Sequence, residues 1–159
     1  MSRNFKKCLI TGATGSVGSY FIDFLIKNKK KISIHGIYRS KGYLNYIKKK
    51  YKNKTKLFKC DLQNLSGTKK IIKKINPDVI FHFASSADVR MSFENPIQFC
   101  KNNNDITLNI LESLRLLKIT PLLIICSTSE VYGNVSLANQ PISENNYIAP
   151  INPYAVSKT

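Results

Sequence analysis

Three residues in the last third of this 159-residue chain have the types and spacing needed to oxidise a hydroxyl group. Tyr154-Ala155-Val156-Ser157-Lys158 is a Y-x-x-x-K motif, and its spacing predicts a phenol and an ammonium on one face of a helix. An ammonium beside a phenol favours the phenolate, so Tyr154 becomes a usable base near neutral pH. Upstream, an apolar stretch ends in Ser127-Thr128-Ser129-Glu130-Val131-Tyr132-Gly133. A Thr128 hydroxyl at the end of a neighbouring strand can orient the hydroxyl being oxidised.

The hydride that leaves the carbon when such a base takes the hydroxyl proton needs an acceptor, and Thr11-Gly12-Ala13-Thr14-Gly15-Ser16-Val17-Gly18 offers a site for one. Gly12 permits a tight turn, Gly15 lets the backbone approach a pyrophosphate, and Gly18 lets the following helix pack closely on a sheet. Free N–H groups and the dipole at that helix N-terminus favour the anion. The expected cofactor contacts here are therefore Gly12, Thr14, Gly15, Ser16, Val17 and Gly18. An acid at the end of the second strand would hold the ribose hydroxyls of NAD. Between Asp23 and Asp61 there is no Asp or Glu, and the second strand ends in Tyr38-Arg39-Ser40. Arg39 can make charge-assisted bonds to a 2′-phosphate, with Ser40 adding a hydroxyl, so the reading favours NADP over NAD.

Strands are predicted at 6–11, 31–38, 55–60, 78–84 and 121–127, and helices at 16–28, 43–53, 65–75 and 96–118. The helix at 16–28 places Val17, Phe21, Phe24 and Leu25 at helical spacing, and the one at 96–118 lines up Ile106, Ile110, Leu114 and Leu117. Apolar strands separated by helices imply an α/β fold, a doubly wound parallel sheet of the Rossmann type with strand order 3-2-1-4-5. Residues 134–153, with Pro141, Pro150 and Pro153, read as an irregular loop. The expectation is one NAD(P)-binding Rossmann domain over 1–159, incomplete because it stops before the last strands and a C-terminal substrate-binding region. This piece alone is expected to be inactive.

Composition narrows the partners. The formal net charge is +16, and residues 1–80 carry 20 Lys or Arg against 3 acids, residues 81–159 only 5 against 6. No RNA- or DNA-binding motif accompanies these lysines, so a solvated basic face is preferred over nucleic-acid binding; it can still steer an anionic substrate. Cys8, Cys60, Cys100 and Cys126 form no C-x-x-C pair, and with only two histidines the pattern argues against a metal site and for reduced thiols. No apolar run reaches membrane-spanning length. Gly12 and Gly15 interrupt the apolar stretch after the basic N-terminus too early for a signal peptide, which places the protein in the cytoplasm.

The segments ITGATGSVGSY (10–20), SFENP (92–96), STSEVYG (127–133) and NPYAVSK (152–158) together resemble the extended short-chain dehydrogenase/reductases. Among these, the resemblance is strongest to the GDP-mannose 4,6-dehydratase family, over essentially the whole chain. It implies that Thr128 hydrogen-bonds the sugar, Tyr154 takes the proton of the 4-hydroxyl, Lys158 binds the nicotinamide ribose, and Glu130 is the dehydration acid/base. It also implies that Asp61-Leu62 lie beside the adenine, that Phe83, Ala84 and Ser85 pass close to the cofactor, and that the protein is a homo-oligomer at full length. The implied reaction converts GDP-mannose, or a related nucleotide sugar, to a 4-keto-6-deoxy product by transient oxidation. Glu130 separates this reading from a 4-epimerase, which needs no eliminating group, and Ser129 from dehydratases of dTDP-glucose, which usually carry Asp there. The chain departs from the family pattern at Ser86-Ala87-Asp88 and at Tyr38-Arg39. The alternatives are a nucleotide-sugar 4-epimerase, a dehydratase of another nucleotide sugar, or a non-catalytic NADP- or nucleic-acid-binding module.

Overall fold

The structure is a computed structural model that describes residues 5–28 and 31–159. Residues 1–4, part of the stretch weighed as a signal peptide, lie outside the described residues. In chain order the elements are β1 (Lys7–Thr11), α1 (Ser16–Asn28), β2 (Ser33–Tyr38), α2 (Leu44–Tyr51), β3 (Thr55–Lys59), α3 (Leu65–Ile75), β4 (Val79–His82), α4 (Val89–Glu94), α5 (Pro96–Leu117), β5 (Leu122–Ile125) and α6 (Pro153–Val156). The described residues form two compact units. The first runs through Ala84 and adds Ile106–Ile125; the second takes Ser85–Asp105 and Cys126–Thr159.

In the first unit all strands pair in parallel in the order β3-β2-β1-β4-β5, as the alternation of strands and helices predicted. Successive strand residues point to opposite faces, and each face carries its own apolar layer. On one face Cys8, Ile10, Ile34 and Val79 pack with Ile22 and Leu25 of α1 and Ile47 and Tyr51 of α2. On the other, Leu9, Ile37 and Ile80 pack with Ile72 and Ile75 of α3 and Ile106, Ile110 and Leu114 of α5. A parallel sheet buried on both sides needs this double covering, which is why its strands read as apolar runs.

Some features differ from expectation. β4 and β5 stop at His82 and Ile125, short of the apolar runs that suggested 78–84 and 121–127, because their pairing ends at the His82–Ile125 register. The turn of helix over Val89–Glu94 was not anticipated; it starts at Asp88, whose carboxylate accepts the Met91 N–H at 3.1 Å. This gives the unusual acid of the Ser86-Ala87-Asp88 stretch a capping role. Finally, α1 buries Gly18, Ser19, Ile22 and Leu25, while Val17 and Phe24 are 58% and 53% exposed. Gly18 must face inward, since a Cβ there would lie 2.3 Å from the Gly12 carbonyl oxygen, and this rotates the helix away from the Val17–Phe24 stripe.

Asp78 ties the lower ends of β1 and β4 together. Its Oδ2 accepts the main-chain N–H groups of Lys6 and Lys7, both at 2.8 Å, and these bonds hold its carboxyl below the usual carboxylate range. A depressed carboxylate contributes stability that is present above its unfolded value and lost as pH falls through its folded one. Urea-unfolding midpoints of the protein and its Asp78→Asn variant are therefore expected to differ steadily above about pH 5 and to converge below about pH 4.

Candidate active site

In the first unit the turn between β1 and α1 is built around bare backbone. Gly12 has φ +66, and a Cβ there would sit 2.8 Å from the Ala84 main-chain nitrogen, so only glycine fits the approach of β1 to the end of β4. Gly15 donates its N–H to the Gly12 carbonyl at 2.9 Å, and Ser19 donates to Gly15 at 3.0 Å, closing the first helical turn. Gly15, Ser16 and Val17 are exposed at the N-terminus of α1, where amide groups and the helix dipole can receive an anion.

Thr14 is buried, and its hydroxyl donates to the Ser40 carbonyl at 2.9 Å while its own carbonyl accepts the Tyr43 N–H at 2.8 Å. Thr14 thereby fixes the loop after β2 against the glycine turn. Arg39 in that loop lies 4.0 Å from the carboxylate of Asp61 at the end of β3, and both side chains are largely exposed. Leu62 is buried among α3 and α5, and its carbonyl accepts the Asn109 amide at 2.8 Å. Phe83 packs edge-on against Phe21 of α1 at 5.4 Å, and the Ala84 N–H donates to the Thr11 hydroxyl at 3.1 Å. The arrangement can therefore hold a pyrophosphate at the turn and a charged group beside Arg39.

Motif reading missed a relay at the base of this turn. The Thr11 hydroxyl lies 2.6 Å from Nδ1 of His82, and Nε2 of His82 lies 3.2 Å from the Thr107 hydroxyl. With the Ala84 N–H donating to the Thr11 oxygen, the Thr11 hydroxyl can also bond Nδ1, and the ring tautomer sets the donor at each of the two His82 bonds.

The second unit holds all four expected catalytic residues. Thr128 caps a 3₁₀ turn over Ser129–Tyr132, its hydroxyl accepting the Glu130 N–H at 3.3 Å. The Glu130 carbonyl accepts the Gly133 N–H at 3.1 Å, and its carboxylate accepts an N–H of the Asn152 amide. Gly133, at φ +63, brings the chain against the Ala149 carbonyl, where a Cβ would lie 2.1 Å away. Asn152 in turn caps α6, its Oδ1 accepting the Ala155 N–H at 2.7 Å, with Pro153 at the first helical position. The 3₁₀ turn and α6 pack against each other.

Tyr154 lies on α6 with its ring edge-on to Phe99 at 6.2 Å. α6 spans Pro153–Val156, and helical bonds continue beyond it, with the Ser157 N–H donating to the Pro153 carbonyl and the Thr159 N–H to the Ala155 carbonyl, both at 3.0 Å. The Ser157 hydroxyl donates to the Tyr154 carbonyl at 2.7 Å and the Lys158 N–H turns to Ala155 at 3.0 Å, tightening the chain past the helix end. The Lys158 ammonium donates to the Cys126 carbonyl at 2.9 Å, and burial lowers its pKa from the ordinary lysine value. The Ser127 hydroxyl donates to the Lys158 carbonyl at 2.9 Å, so Cys126-Ser127 and the Tyr–Lys turn are joined twice within this unit.

Two buried asparagines of α5 also went unread. Asn103 accepts the Ser86 N–H at 2.7 Å and donates to the Ser86 carbonyl at 3.0 Å and to the Ser157 hydroxyl at 2.9 Å; Asn102 donates to the Ser86 hydroxyl at 3.0 Å. The loop carrying Ser85 is thus tied through Asn103 to the turn carrying Tyr154. A signal existed, since Asn103 precedes Ile106 by three and so falls in the apolar stripe. Among the described residues no cluster of His, Cys, Asp and Glu could hold a metal, and no helix is long and apolar enough to cross a membrane.

The sequence matches the family model of GDP-mannose 4,6-dehydratase over residues 9–159. It is 34% identical to a GDP-mannose 4,6-dehydratase of Sordaria araneosa, over 99% of this chain and 29% of that protein. It is 32% identical to the UDP-glucose 4-epimerase of Mycoplasma pneumoniae, over 99% of this chain and 46% of that protein. Among solved structures it superposes on the UDP-glucose 4-epimerase of Brucella ovis in complex with NAD, with a TM-score of 0.84 at 26% identity, over 96% of this chain and 44% of that one. The chain thus spans less than half the length of each of these proteins. The family match runs through both the glycine turn and the Tyr154–Lys158 turn: the chain belongs to the GDP-mannose 4,6-dehydratase family.

Proposed function

We propose that the protein carrying this chain is a dehydratase that converts GDP-mannose to GDP-4-keto-6-deoxymannose with NADP as a recycled cofactor. The observation that carries this reading is the carboxylate of Glu130, held by Asn152 in the same unit as Tyr154, where an epimerase has no need of an eliminating group. The bare Gly12–Gly15 backbone and the exposed first turn of α1 fit a pyrophosphate, and Arg39 with Ser40 fit a 2′-phosphate. Phe83, Ala84 and Ser85 would pass along the cofactor, and Asp61-Leu62 would lie by its adenine. When bound, the cofactor supplies a hydride acceptor for C4 and the hydride returned to C6.

The chain's own residues would do the rest. Thr128 would orient the 4-hydroxyl and Tyr154, as phenolate, would take its proton. Lys158 would favour the phenolate electrostatically and hold the nicotinamide ribose. Oxidation at C4 acidifies the C5 proton; Glu130 would remove it and hand a proton to the departing C6 hydroxyl, which leaves as water. Further expectations are that the protein is cytoplasmic and that it works as a homo-oligomer.

Protein expressed from its complete gene and supplied with GDP-mannose and NADP⁺ is expected to yield a 4-keto product that absorbs in strong base; epimerised sugar without loss of water would instead support the 4-epimerase. Glu130→Gln is expected to slow water loss by roughly 10²–10⁴-fold while substrate still reduces bound cofactor, and Tyr154→Phe to lose both steps. Arg39→Ala is expected to weaken NADP binding by roughly 10- to 100-fold and leave NAD binding nearly unchanged, as titration calorimetry would read.

A further inference from the structure

The amide of Asn152 makes two hydrogen bonds that fix its orientation. Its Oδ1 accepts the Ala155 N–H at 2.7 Å, and a helix N-cap requires an acceptor there, so the other end must be the NH₂ group. That NH₂ donates to Oε2 of Glu130. Asn152 itself has little freedom: its backbone is extended, at φ −142 and ψ 159, and Pro153 follows at the first helical position.

Glu130 is held on its main chain as well. Its N–H donates to the Thr128 hydroxyl at 3.3 Å and its carbonyl accepts the Gly133 N–H at 3.1 Å. With Asn152 on Oε2, the residue is anchored at three points and Oε1 is left for a reacting group.

We propose that Asn152 is a positioning residue for Glu130: one side chain starts the helix that carries Tyr154 and aims the carboxylate that expels water. This rests on the dehydratase reading above. An Asn is chemically suited to both tasks. Serine caps a helix equally well but is one bond shorter, so it loses its reach to Glu130. Aspartate also caps, but sets a second carboxylate against the first. The consequence is a split between steps: Asn152 matters to elimination and little to oxidation.

The test uses holoenzyme from the complete gene, with GDP-mannose, in wild-type, Asn152→Ser and Asn152→Asp forms. Both variants keep the cap, so folding is preserved. Two quantities are read in a single turnover: reduction of bound cofactor, and uptake of solvent deuterium at C5 with loss of water. In both variants oxidation is expected to stay within about threefold, while water loss slows by roughly 10- to 100-fold, so that reduced cofactor accumulates. Equal slowing of both steps, or of neither, overturns the proposal and leaves Asn152 a cap alone. The side-chain amide signal of Asn152 in ¹⁵N-asparagine-labelled protein separates this proposal from the reading it rests on. If that signal moves on Glu130→Gln while no nucleotide sugar loses water, the contact stands and the dehydratase reading falls. If it does not move, the contact is absent and the proposal falls.

Discussion

A strand–turn–helix can offer bare backbone to an anion only where chain segments meet with no side chain between them, and in the first unit they meet at Gly12. The Ala84 nitrogen stands 2.8 Å from where its Cβ would be, and the Gly12 carbonyl oxygen stands 2.3 Å from the corresponding point on Gly18. These two approaches set much else. They turn α1 so that Ile22 and Leu25, not Val17 and Phe24, enter the core. They bring the end of β4 alongside β1, where the Thr11 hydroxyl satisfies the Ala84 N–H and engages His82. A buried imidazole without partners would be costly there; with a hydroxyl at each ring nitrogen it becomes a brace for the turn. Gly42 extends the same logic, since a Cβ on it would lie 2.3 Å from the Thr14 carbonyl oxygen, and so the loop bearing Arg39 is seated on the turn.

The second unit is held by a different device. It has no sheet, and its apolar contacts are supplemented by side-chain amides that bond to backbone. Asn103 satisfies both main-chain groups of Ser86 while reaching Ser157, and Asn152 joins a helix start to the Glu130 carboxylate. An amide has a donor and an acceptor at a fixed separation, so each of these residues joins two segments in one geometry. Apolar packing is non-directional and could not specify where a carboxylate points. That is a physical reason to find asparagines in an otherwise apolar stripe of α5 and at the head of α6.

What could be read from the sequence follows from the same distinction. The strands were legible because burial on both faces makes them apolar throughout, and the glycine turn because its constraints are local and exclude every other residue. α3 was legible to its ends, Leu65 and Ile75, since Asn64 caps it and Asn76 closes it in a left-handed conformation. The face of α1 was misread because the helix rotation is set by a backbone contact to Gly12, not by its own pattern of large apolar residues. α4 escaped notice because six residues give no periodicity, although its cap, Asp88, stood out as an acid where the family pattern has none. At the candidate site the residue types were plain, but Cys126, Ser86 and Glu130, which Lys158, Asn103 and Asn152 engage, lie 17 or more positions away in the chain. No spacing rule reaches that far.

The uneven charge of the chain also finds a place in the fold. Among the described residues the sheet has two edges, β3 and β5. β3 shows Lys56 and Lys59 to solvent, and Lys74 of α3 lies over the Phe58 ring at 5.4 Å. A lysine covers apolar surface with its stem while its ammonium keeps another strand away, so this edge resists pairing. β5 has no lysine in it, and Leu122, Ile124 and Ile125 are 37%, 39% and 46% exposed. The two edges of the sheet thus differ in character: the β3 edge is guarded by lysines, and the β5 edge is apolar and carries none.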